Sequence, residues 1–138
     1  MITDLGHTAF RCHDLDKSLA FYALLGLHES FRLYRDDGDL MLIYLHVGGD
    51  RFLELFPNGP EPTEPKGSFM HVCLVSDDLA ADVEHLRANG VSIWRELKEG
   101  KDGNLQAWVL DPDGNPIELM QLVEHSPQRR VARGEKAQ

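Results

Sequence analysis

One offset constrains this chain more than any other feature: moved forward by 64 residues, its first half lies over its second. His7 falls on His71, Asp14-Leu15 on Asp78-Leu79, Gly26 on Gly90, Tyr44 on Trp108 and Glu54 on Glu118, with no gap at any of these positions. Each half therefore carries a His and a Glu at the same 47-residue separation. A chain built this way folds as two copies of one supersecondary unit, and its chemistry is expected to draw on matched residues of both copies.

The unit reads β-α-β-β-β. Residues 5–12 alternate as a strand, with Leu5, His7, Ala9 and Arg11 on one face and Gly6, Thr8, Phe10 and Cys12 on the other. Asp14 is placed to cap a helix on which Leu15, Leu19, Tyr22 and Leu25 recur, and Gly26 stops it. Strands are expected over 30–34, 39–47 and 51–56, the first two joined by the turn Arg35-Asp36-Asp37-Gly38. In the second copy, 68–75 is a strand, Asp77 or Asp78 caps a helix carrying Leu79, Val83 and Leu86, and Gly90 ends it. Strands over 91–97 and 105–110 follow. The turn Asp111-Pro112-Asp113-Gly114 then leads into a last strand over 116–123.

The expected fold is α+β: two tandem βαβββ modules forming a curved mixed sheet around a metal-binding cavity. Module one spans residues 3–56 and module two 68–123, within a single domain over 1–123. The connector 57–67 is stiffened by Pro57, Pro60, Pro62 and Pro65. Residues 124–138 have almost no apolar side chains and are expected to be a flexible tail.

Composition narrows the partners. A net charge of −9 repels nucleic acid and anionic lipid at long range. No apolar run approaches the roughly 18 residues of a membrane-spanning helix. Met1-Ile2-Thr3-Asp4 lacks the basic start and apolar stretch of a secretory leader, and Cys12 and Cys73 form no C-x-x-C pair. A cytoplasmic protein acting on a small molecule, with neither nucleic acid nor membrane as partner, is the expectation.

Strand parity then places the matched residues. His7, Glu54, His71 and Glu118 fall on the faces opposite Phe10, Leu53, Val72 and Ile117, which are expected to pack beneath the helices. The four therefore converge on the concave side. Neutral imidazoles and carboxylates suit a single divalent ion such as Ni, Zn, Co, Fe or Mn, and two carboxylates neutralise its charge. Taken singly, each His reads as a core residue and each Glu as a solvated one. The duplicated set is what turns them into candidate ligands. Cys73, Met120, Phe52 and Phe56 are expected to line the pocket.

The motifs His7-Thr8-Ala9-Phe10-Arg11, Asp14-Leu15-Asp16-Lys17-Ser18-Leu19-Ala20-Phe21-Tyr22 with Leu25-Gly26-Leu27, Phe52-Leu53-Glu54-Leu55, His71, and Asp111-Pro112-Asp113-Gly114-Asn115-Pro116-Ile117-Glu118-Leu119 resemble the vicinal oxygen chelate superfamily, of the glyoxalase I, bleomycin-resistance and dioxygenase type. The resemblance covers residues 3–123. It implies a metal-dependent, glyoxalase I-like lyase acting on a small α-hydroxycarbonyl, such as the hemithioacetal of methylglyoxal and glutathione or another thiol. In that scheme an ion held by His7, Glu54, His71 and Glu118 stabilises an enediolate. Glu118 is then the base and Glu54 a ligand that can share the proton work. Arg11 and Asn58 stand where glyoxalase I holds the glutamyl end of glutathione, although Arg11 paired to a carboxylate and Asn58 as a plain turn residue fit as well. The segment 98–104 reproduces no clear glycyl-carboxylate site. Two other members of the same superfamily fit in outline: an Fe(II) dioxygenase, and a non-enzymatic drug binder, for which Trp94 and Trp108 give only a thin aromatic wall. Because neither module carries a full ligand set, a homodimer with sites shared between chains is expected.

Overall fold

In the computed structural model, residues 5–62 and 69–136 are described. The connector's Thr63, Glu64 and Pro65, the expected strand start at Ser68 and both extreme termini lie outside them. The chain divides into two compact units, Met1–Gly67 with Asp111–Gly114, and Ser68–Leu110 with Asn115–Gln138.

The first unit holds β1 (His7–Arg11), α1 (Leu15–Leu24), β2 (Glu29–Tyr34), β3 (Leu40–Gly48) and β4 (Arg51–Phe56). Its sheet runs β1-β4-β3-β2, with β1 parallel to β4 and the other pairs antiparallel. The Asp14 side chain accepts from the Lys17 N–H and so caps α1, and Gly26 leaves the helix at φ +77°, where a Cβ would be strained. One sheet face is apolar: Phe10, Ile43, Leu45, Leu53 and Leu55 are all buried. Phe10 stacks on Tyr22 of α1 at 6.1 Å between ring centroids. Each such side chain removed from water contributes about 1.5–3 kcal/mol, which sets the register.

The second unit repeats this with β5 (Val72–Val75), α2 (Leu79–Ala88), β6 (Ile93–Glu99), β7 (Leu105–Leu110) and β8 (Pro116–Gln121), in sheet order β5-β8-β7-β6. Asp78 is the residue that caps α2, accepting from the Ala81 N–H. Val109, Ile117, Leu119 and Ala107 are buried, as are Leu79, Val83 and Leu86 of α2.

Three features depart from expectation. The strand expected over 68–75 begins only at Val72, so His71 lies just before it. The β7–β8 turn belongs to the first unit: Tyr22 donates to Asp111 (2.8 Å), while Ser18 (3.2 Å) and the His13 N–H (2.7 Å) donate to Asp113. The Cys12 thiol lies among them and is pushed up to about 11, by burial first, with both carboxylates adding to it. The stretch read as a flexible tail contains α3 (Pro127–Ala132), capped by the buried Ser126 with Pro127 opening the helix. Its anchor is polar, which an apolar pattern does not register. Buried Asn104 donates to Asp102 (2.9 Å) and to Gln128 of α3 (3.0 Å), and Gln128 donates back to Asp102 (2.6 Å). Among the described residues no helix is long and apolar enough to cross a membrane.

Candidate functional site

Cross-strand pairing decides which side chains share the open face of each sheet. In the first unit Ala9 pairs with Glu54, Glu54 with Tyr44 and Tyr44 with Phe31, so these four form one row across all four strands. In the second, Cys73 pairs with Glu118, Glu118 with Trp108 and Trp108 with Arg95. The rows correspond position by position at the 64-residue offset. Glu54 and Glu118 occupy equivalent places and are both buried, at 7% and 6% exposure, although ionisable side chains seldom are without a partner.

Their partners are the histidines. His7 Nε2 lies 3.6 Å from Glu54 Oε2, and His71 Nε2 lies 3.1 Å from Glu118 Oε2. Two donors bound to one ion at about 2.1 Å and roughly right to tetrahedral angles sit about 3–3.5 Å apart; the His71–Glu118 pair falls within that spacing and the His7–Glu54 pair just beyond it. Each unit brings together one His and one Glu. Among the described residues no group of three or more His, Cys, Asp or Glu side chains forms a metal-binding cluster.

The two carboxylates differ in what surrounds them. The Tyr44 hydroxyl is hydrogen-bonded to Glu54, chiefly for which reason its phenol titrates above the ordinary tyrosine range. Tyr44 is itself fixed by a stack on Phe31 (4.3 Å) and an edge contact to Phe52 (5.7 Å). At the equivalent position the Trp108 indole donates to Gln106 (3.1 Å), and its ring meets His71 edge-on at 4.8 Å. Glu118 has the Cys73 thiol beside it, pushed up to about 12 by partial burial of the sulfur and then by the Glu118 carboxylate. A thiol held that high stays protonated at neutral pH and serves as a hydrogen-bond donor, not as a nucleophile.

Arg11 lines a pocket at the end of β1, and the turn that carries Asn58 runs beside it. Ala9, Phe10, Arg11 and Phe56 line an open pocket of about 250 Å³. The turn at Asn58, whose φ is +61°, brings Gly59 against the end of β1. The Gly59 N–H donates to the Cys12 carbonyl (2.8 Å), and a Cβ there would fall 2.3 Å from the Arg11 carbonyl oxygen. Phe56 lines this pocket, and Phe52 packs among Tyr44, Phe31 and His46.

Sequence reasoning used Tyr44 only as a repeat marker and gave Arg95 no role. Tyr44 could have been found by counting back across the β3–β4 hairpin from Glu54. Arg95 could not, because a bulge controls its direction. Ile93 pairs with Val109 and Arg95 with Trp108, so Trp94 is an extra residue, and the same irregularity recurs between Glu29 and Phe31.

The family model described as Glyoxalase/Bleomycin resistance protein/Dioxygenase superfamily matches residues 4–119. Lactoylglutathione lyase of Schizosaccharomyces pombe is 31% identical over 93% of this chain, which spans only half the length of that protein. A probable lactoylglutathione lyase of Synechocystis is 33% identical over 83% of this chain and 92% of its own. The trypanothione-dependent glyoxalase I of Leishmania major superposes with a TM-score of 0.71 at 26% identity, over 96% of this chain and 91% of that one. TnmS3, an antibiotic binding protein from Streptomyces, also gives 0.71, at 28% identity over 88% and 98% of the two chains. With its duplicated modules and its matched His–Glu pairs, the chain belongs to the vicinal oxygen chelate group of proteins, the glyoxalase, bleomycin-resistance and dioxygenase superfamily.

Proposed function

We propose that this protein is a metal-dependent lyase of the glyoxalase I type, which isomerises the hemithioacetal formed by a small α-oxoaldehyde and a thiol such as glutathione. The observation that carries this reading is the equivalence of His7–Glu54 and His71–Glu118, two close nitrogen–oxygen pairs at matching positions of the two modules. The names of the lactoylglutathione lyase relatives support the choice of reaction.

His7, Glu54, His71 and Glu118 would hold one divalent ion, whose contribution when bound is Lewis-acid stabilisation of negative charge on the substrate's adjacent oxygens. Glu118 takes the proton from the hydroxyl-bearing carbon and returns it to the neighbouring carbon. Cys73, protonated beside it, favours one orientation of that carboxylate. Glu54, tied to Tyr44, stays a ligand. Arg11 and Asn58 bind the thiol portion beside the pocket at the end of β1. Each module supplies half of a ligand set, so the active form is a homodimer whose sites join a first module to a second module of the other chain. The two free cysteines agree with a cytoplasmic setting.

Incubating the metal-loaded protein with methylglyoxal and a panel of thiols tests this. Thioester formation that needs both thiol and metal is expected, and its absence with every thiol and metal tried would overturn the reading. The likeness to TnmS3 favours one alternative, a small-molecule binding protein without turnover. Saturable ligand binding that survives complete removal of metal would select it.

A further inference from the structure

The two histidines of the matched pairs are held differently. His7 lies inside β1, paired in register with Phe52 of β4. Ladder bonds therefore fix the backbone that carries it and the direction in which its side chain leaves the sheet. His71 lies just before β5, whose ladder begins with Val72 paired to Ile117, and so stands outside it. What His71 has instead is a ring contact. The Trp108 indole meets its imidazole edge-on, at 4.8 Å between centroids and 72° between planes. The His71 side chain is accordingly 31% exposed, against 55% for His7. Trp108 is itself well fixed. Its strand pairs it with Glu118 on one side and Arg95 on the other, its N–H donates to Gln106 (3.1 Å), and its ring is edge-on to Trp94 at 6.3 Å.

From this we infer that Trp108 is a positioning residue for His71: it holds the imidazole beside Glu118 and so prepares the second module's half of the ligand set. The inference rests on the proposed metal-holding role of His71 and Glu118. The first module uses the same repeat position differently. Tyr44, which corresponds to Trp108 at the 64-residue offset, hydrogen-bonds Glu54 and has its ring between Phe31 and Phe52. One aromatic position thus supports the carboxylate in the copy whose histidine is inside the ladder, and the imidazole in the copy whose histidine is not. Edge-on ring pairs are directional and contribute beyond the area they bury. A ligand held in place before the ion arrives also loses less freedom on binding it. Reach matters as well. In the sheet order β5-β8-β7, two strand spacings, roughly 10 Å, separate the start of β5 from β7. A flat ring on β7 closes that gap towards His71, and a leucine side chain does not.

The test compares Trp108→Leu, which removes the ring, with Trp108→Phe, which keeps one in its place. Trp108 is half-buried on the open face, so both changes leave the core residues Val109 and Ile117 in place. In the metal-free protein, the nuclear Overhauser contact between the His71 imidazole and the Glu118 side chain is expected in the wild type and in Trp108→Phe, and its loss is expected in Trp108→Leu. The His7–Glu54 contact should persist in all three. Cobalt(II), titrated in competition with a chromophoric chelator, should bind Trp108→Leu about tenfold more weakly than wild type, the scale of losing an outer partner of a ligand. Trp108→Phe should bind it close to wild type. The inference is overturned by a His71–Glu118 contact kept in Trp108→Leu, by equal cobalt affinity of that variant and the wild type, or by a Trp108→Phe as impaired as Trp108→Leu. Failure of the metal-holding reading shows differently, as no cobalt bound by the wild type with the Overhauser pattern of the three proteins intact.

Discussion

Set side by side, the rows Ala9–Glu54–Tyr44–Phe31 and Cys73–Glu118–Trp108–Arg95 show how two copies of one unit divide a task. The carboxylate is common to both, and so is the histidine next to it. Everything around them has diverged. In the first row a phenol hydrogen-bonded to Glu54 and an aromatic stack surround the carboxylate. In the second, a protonated thiol flanks Glu118 and the aromatic position supports a cation. Duplication supplies matched His–Glu pairs, and in the proposed scheme the substitutions around them give one copy the anchoring and the other the proton transfer.

The harshest way to break this comparison is to mix lesions. His7→Ala alone and His71→Ala alone should each be inactive. Refolded together, they should recover about a quarter of wild-type turnover, the statistical share of intact sites in randomly paired dimers. A mixture that stays inactive while mixed dimers are seen by native mass spectrometry would place each site within one chain.

Next comes the asymmetry of the carboxylates. Glu118→Gln should lower kcat by roughly 10²–10⁴ with little change in KM, the scale of general-base catalysis. Glu54→Gln should act mainly by weakening metal retention. Steady-state kinetics and metal analysis of both variants check this, and identical behaviour of the two would remove the proposed division.

A smaller effect separates the aromatic positions. Tyr44→Phe should weaken metal binding by about 10–100-fold, as loss of a partner to a ligating carboxylate does. Trp108→Phe should leave metal affinity near wild type, because the indole bonds Gln106 and not Glu118. Competition titration against a chromophoric chelator distinguishes them.

The smallest expected effect concerns the helices. Tyr22 of α1 and Leu86 of α2 are equivalent and fully buried, but only Tyr22 carries a polar atom, which donates to Asp111. Tyr22→Phe should lower unfolding stability by about 1–3 kcal/mol, through withdrawal of a donor from a buried carboxylate. Urea melts would show a lower midpoint at an unchanged slope.

How far the sequence reveals this depends on the range of each interaction. Helix caps and stops are local, so Asp14, Asp78, Gly26 and Gly90 marked α1 and α2 within a residue or two. Strand parity is local as well, and it set Glu54 and Glu118 opposite the buried Leu53 and Ile117 of their strands. The β6 bulge was not legible, because register shifts depend on which residue finds a partner on the neighbouring strand. Nor was the docking of Asp111 and Asp113 onto Ser18 and Tyr22, about ninety residues away, since both halves of that contact read as ordinary turn and helix residues. The helix α3 escaped because polar bonds through Asn104 and Gln128 anchor it.

Counting bound metal tests the central claim, that two half-sets make one site, most directly. Isothermal titration of the apo protein should give one divalent ion per chain, and His7→Ala or His71→Ala alone should abolish all tight binding. Two ions per wild-type chain, or a single-histidine variant that keeps a tight site, would show that each His–Glu pair acts for itself and would contradict the account.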